Sequence, residues 1–73
     1  MFAKLDEEVI YWAGQGYAVL SETENDHQRT VFMQQGKPGH LCVLQSTIVS
    51  DEEKFHSVVL TVTELGFLKE LPG

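Results

Sequence analysis

Apolar residues in the second half of the chain recur at helical spacing. Phe55, Val58, Val59, Val62 and Leu65 fall three or four positions apart along their stripe, which would make one side of a helix apolar. Ser50-Asp51-Glu52-Glu53 precedes them, a hydroxyl and a carboxylate placed to satisfy each other's unpaired backbone N–H in a capping box. Gly66 stands where a left-handed residue ends a helix. The pattern predicts a helix over 50–67. A strand is the alternative, because Val58, Val59, Thr61, Val62 and Thr63 are β-branched. In that reading Val58, Leu60 and Val62 alternate and Ser50 to Lys54 form a hairpin loop. The start and stop signals fit only the helix, so the helix is the expectation. Leu60 falls off the stripe and becomes a candidate for a contact outside the monomer core.

The first half alternates between the two periods. Leu5, Val9, Trp12 and Ala13 share a helical face over 5–14, with Asp6 as the expected N-cap and Glu7 and Glu8 in the first turn. Gly14-Gln15-Gly16 stops it. Strands are predicted over 17–24, 29–35 and 40–49, joined by Asn25-Asp26-His27-Gln28 and by Gly36-Lys37-Pro38-Gly39. Residues 68–73 form a short tail. The predicted fold is α+β, a single domain over 1–73: helix, three-stranded antiparallel meander, helix, with both helices on one sheet face. The strands do not separate polar from apolar cleanly. Leu41 and Val43 oppose Cys42 and Leu44, and Phe32 opposes Val31 and Met33, so both faces carry apolar side chains. Scattered surface apolars on a twisted sheet are one explanation, and a face buried against a second copy or a partner is the other.

Composition narrows the function classes. In 73 residues there are eleven acids and five bases, a net charge of −6, which disfavours direct binding to nucleic acid or to anionic membranes. A hydrophobic content of 42% supports a globule rather than disorder. The lone Cys42 excludes an internal disulfide framework and points to a reducing compartment. The opening Met1 to Glu7 turns acidic at once, unlike a signal peptide, and no apolar run is long enough to cross a membrane. The expectation is a cytoplasmic protein.

The motifs that could carry chemistry are weak. Gly14-Gln15-Gly16 follows a helix, whereas a dinucleotide fingerprint follows a strand. Gly36-Lys37-Pro38-Gly39 lacks the spacing and the Ser/Thr of a phosphate loop. His40 and Cys42 share a strand face and could form a thiol–imidazole pair, but no orienting group follows from the sequence. His27, His40 and His56 show no metal-ligand spacing, although His27, His56 and nearby acids could meet in three dimensions. Trp12 and Tyr17 lack the interleaved basic residues of a base-stacking platform and read as core or interface. No catalytic residue, metal ligand or cofactor is assigned.

The order helix, three strands, helix resembles that of the double-stranded RNA-binding domain. That resemblance implies basic residues at the start of the last helix, and here Asp51, Glu52 and Glu53 stand there instead. The implied RNA contact therefore loses its footing.

In such a topology the start of the first helix, the first hairpin and the start of the last helix lie at one end. Asp6, Glu7, Glu8, Glu22, Glu24, Asp26, Asp51, Glu52 and Glu53 would gather there, nine of the eleven acids, with Lys4, Arg29 and Lys54 as counterions. Lys37 and Lys69 lie toward the other end. Helix starts favour acids through the macrodipole, but that does not explain the hairpin acids. The expected function is a non-enzymatic interaction module, a small adaptor or inhibitor. It would dock Glu22, Glu24, Asp26, Asp51, Glu52 and Glu53 onto a basic protein surface, with carboxylates standing in for phosphates as one subclass. The alternative is a homodimeric structural or regulatory subunit that uses an apolar sheet face. A thiol enzyme through Cys42 and His40 comes last.

Overall fold

Leu5, Val9 and Trp12 do lie on one side of a helix, and Phe2 extends that side by one more turn toward the start of the chain. In the computed structural model, which describes residues 1–36 and 39–60, helix α1 spans Ala3–Gly14. Four strands follow: β1 (Ala18–Glu24), β2 (Gln28–Gln35), β3 (His40–Val49) and β4 (Glu52–Leu60). They form one antiparallel sheet in the order β1-β2-β3-β4. The α+β class stands, with one helix and four strands among the described residues rather than two helices and three strands.

The predicted helix over 50–67 is thus overturned from its start to Leu60; its remainder, with Val62, Leu65 and Gly66, lies outside the described residues. So do the predicted tail over 68–73 and the centre of the Gly36–Gly39 turn. The expectation of two helices on one face fails with it, as does the element order shared with the double-stranded RNA-binding domain. The physical reason is β3. Its outer edge would present a row of unpaired backbone groups, and β4 satisfies them from Val49↔Glu52 to Leu41↔Leu60. A two-residue turn, Ser50-Asp51, reverses the chain between them, with φ of 52° and 63°. Two positive φ values match the right-handed twist of the flanking strands. The β-branched run that weakened the helical reading is what suits the strand.

Alternation builds the core. Val31 and Met33 on β2 pair with Leu44 and Cys42 on β3, and all four face α1. Phe2 and Leu5 close over them, with Val9, Trp12, Tyr17, Ile48 and Phe55 around the rim. Each fully buried aliphatic or aromatic side chain contributes about 1.5–3 kcal/mol. Ala13, expected on the same helical face, is exposed. The helix ends at Gly14, and Gly16 takes a φ of 96°, which lets Tyr17 N–H return to the Trp12 carbonyl at 3.1 Å. Trp12 and Tyr17 then meet edge to face at 5.1 Å between ring centroids.

The other sheet face is not covered by any described element. Register places Phe32, Val43 and Val58 side by side on it, with Leu41 beside Leu60 in the next row. Val58 is 49% exposed. The disagreement between polar and apolar positions in the sequence is therefore real, and Leu60 faces away from the core.

Candidate functional site

Antiparallel register brings the end of β1, the start of β2, the end of β3 and the start of β4 to one end of the sheet. α1 begins there as well, because the backbone N–H groups of Lys4 and Leu5 donate to Glu53 Oε1 and Oε2 at 2.9 and 3.0 Å. The acids named above on these segments, set against Lys4, Arg29 and Lys54, carry an excess equal to the whole chain's −6.

Arg29 organises one half of this end. Its Nη2 donates to Glu22 at 3.0 Å and its Nη1 to Asp6. Its Nε lies 3.6 Å from Glu24, an ion pair too long to be a hydrogen bond. The Glu22 hydrogen bond raises the guanidinium's pKa; partial burial opposes that, and Asp6 adds to it. Asp6, expected as an N-cap, is instead this arginine's partner, and the cap position is Phe2, which has no side-chain acceptor. Beside Arg29 opens a cleft of about 430 Å³ lined by Met1, Phe2, Asp6, Glu24, Asn25 and Asp26. Asn25 shapes its wall: its Oδ1 accepts from the N–H groups of His27 and Gln28 at 2.8 and 2.9 Å, which holds the β1–β2 turn.

The other half is built on Glu53. It supplies the cap that Phe2 lacks, reaching α1 from β4. The buried Ser46 hydroxyl donates to Glu53 Oε2 at 2.6 Å. Burial alone would push this carboxyl up; the Ser46 hydroxyl and the two helix N–H groups outweigh it and hold its pKa below the usual value. The capping box read at Ser50 and Glu53 thus has the right residue and the wrong helix. Glu52 pairs with Lys54 at 3.0 Å. Lys4 pairs with Glu8 at 3.3 Å and lies 5.9 Å from the centre of the Phe55 ring.

Of the six residues assigned to partner binding, Glu22 and Glu24 surround Arg29, Asp26 lines the cleft, and Asp51 sits exposed in the β3–β4 turn. Glu52 is at the exposed start of β4, and Glu53 is turned inward as a cap. The two hairpin turns are about two strand spacings, ~10 Å, apart across the sheet. Among the described residues, Glu7, Asp26 and Asp51 make no ion pair. Sequence reasoning placed Asn25 in this turn and missed Phe2 and Ser46. Ser46 had a readable signal, since it continues the inward alternation of Cys42 and Leu44.

Cys42 is fully buried, and burial, followed by the charge of Glu8, pushes its thiol pKa up. His40 is exposed at the start of β3. His27 lies in the β1–β2 turn and His56 on the open sheet face opposite Gln45. Among the described residues no three His, Cys, Asp or Glu side chains are grouped as a metal ion requires. No described helix is long and apolar enough to cross a membrane. Comparison with protein families, with curated proteins and with solved structures found no match.

Proposed function

We propose that the chain is a non-enzymatic interaction module whose acidic end docks on a basic protein surface, as a small adaptor or inhibitor. The observation that supports it is the convergence of the starts of α1, β2 and β4 and the ends of β1 and β3, with their acids, on one end. Folding alone uses only some of those acids. Glu53 serves the helix and Glu22, Glu24 and Asp6 hold Arg29, while Asp26, Asp51 and Glu7 have no ion-pair role among the described residues. An excess of one sign focused at one end raises the rate at which an oppositely charged surface arrives. Carboxylates spaced across two hairpin turns also suit a groove that otherwise takes phosphates.

The test is capture of partners from the native host, with wild type compared with the Asp26→Asn, Asp51→Asn double variant. The expected partner is basic, is released by moderate salt, and associates about three- to tenfold more slowly with the variant. Neither substitution touches the core, so the fold stays intact. A partner held equally by both proteins and resistant to salt would overturn the reading.

A further inference from the structure

The acidic end leaves the open sheet face unexplained. Phe32, Leu41, Val43, Val58 and Leu60 form two adjacent rows there, on the half of the face farthest from the acids. We propose that this face pairs with the same face of a second copy of the chain, giving a sheet-on-sheet dimer with a helix on each outer side.

Charge selects the occupant. Among the described residues, this face carries one acid and one lysine, Glu52 and Lys54, which pair with each other at 3.0 Å, and the imidazole of His56. In a protein of net charge −6 this is a neutral surface on which a second copy meets no repulsion. A basic partner is drawn to the other end. Area agrees. Four strands about 4.8 Å apart, with a rise of about 3.3 Å per residue, give a face of roughly 500 Å². Two such faces bury roughly 1,000 Å², where specific interfaces begin, which fits a dimer of micromolar strength. The shape fits too: the principal extents are 37 × 32 × 15 Å, a thin slab, and only six described apolar residues are buried in its core. Small domains of that kind gain burial by self-association.

Of the two edge strands among the described residues, β1 is a poorer meeting place. β1 carries an irregularity between Val19 and Ser21 and places Glu22 and Glu24 along its length, both of which oppose edge pairing. Pairing through the face leaves both acidic ends exposed, so it is independent of what they bind.

Sedimentation of the full chain from about 1 to 100 μM, the range in which an interface of this size is populated, tests the proposal. The expected result is a concentration-dependent dimer that persists at high salt. Val43→Glu places a charge in the centre of the interface and should weaken the dimer at least ~100-fold with unchanged circular dichroism. Should that variant not fold, Val58→Thr, of nearly the same shape, reads the same constant and should weaken it several-fold. A wild-type monomer at the top concentration would overturn the proposal and assign the face to another part of the chain or to a different partner. A dimer of undiminished strength in the folded variants would place the interface elsewhere and overturn it equally.

Discussion

Glu53 holds three parts of the molecule together through one carboxylate. It caps α1 at Lys4 and Leu5 and accepts from Ser46 on β3 while belonging to β4. All three donors favour the charged form, so its folded pKa lies below its unfolded value. The stability it contributes is therefore present above the ordinary carboxylate pKa and is lost as pH falls through the lower, folded value. Glu53→Gln turns one acceptor into a donor facing donors and should destabilise the protein by about 1–2 kcal/mol at neutral pH. It should also flatten the acid limb of the stability curve. Urea denaturation of both proteins between neutral and acid pH measures this; equal acid limbs would show that another group controls the acid response. Cys42 illustrates the opposite case, a titratable group whose burial disfavours its charged form and which packs as a small side chain in the core.

At the scale of the element, the β3–β4 hairpin shows how a local pattern misleads. Phe55, Val58 and Val59 stand at helical spacing, yet in β4 Phe55 and Val59 face α1's side of the sheet and Val58 the open side. The Ser50-Asp51 turn holds two non-glycine residues at positive φ, a conformation costing roughly 1–2 kcal/mol per residue in general and less for Asp. The pairing of β4 along β3 compensates for that strain. Replacing the turn by Asn-Gly (Ser50→Asn, Asp51→Gly) should relieve it and stabilise the fold by about 1 kcal/mol. Thermal denaturation reads this directly, and a lower midpoint would mean that the native side chains make turn contacts worth more than the strain. The β1–β2 turn needs no such replacement, because Asn25 already bonds the two N–H groups that follow it.

The whole molecule is a slab with opposed properties at its two ends. One end concentrates acids around Arg29 and the α1 cap; among the described residues, the far half of the open face carries Phe32, Leu41, Val43, Val58 and Leu60 beside Gln34 and no charged side chain. Like charges crowded at one end repel in the folded state and less so in the expanded chain. Salt screens them over about 8–10 Å, comparable to the distance between the two hairpin turns. Raising NaCl from about 0.02 to 0.5 M should therefore stabilise the protein by about 0.5–1 kcal/mol, despite weakening the exposed Arg29 and Lys54 pairs. A fall in the urea midpoint instead would show that the attractive pairs outweigh the repulsion.

The sequence by itself determined α1 and the first three strands nearly to their ends, and β3 at both ends. Each of these is a local pattern whose turn residues (Gly14 to Gly16, Asn25 to His27) act on their own neighbours. It also determined that both sheet faces carry apolar groups, which needs only strand parity. The gathering of acids at one end was expected from a helix starting near Ser50 and holds because β4 begins there instead. The stretch 52–60 was decided by tertiary structure, because helix and strand readings of it differ little locally while only the strand satisfies the edge of β3. Tertiary structure also chose which acids work inside the fold. Glu53 meets Lys4 across 49 positions and Arg29 meets Asp6 across 23. Separations of that kind leave no periodic trace in a sequence, because what selects the partner is the geometry of the sheet that brings them together.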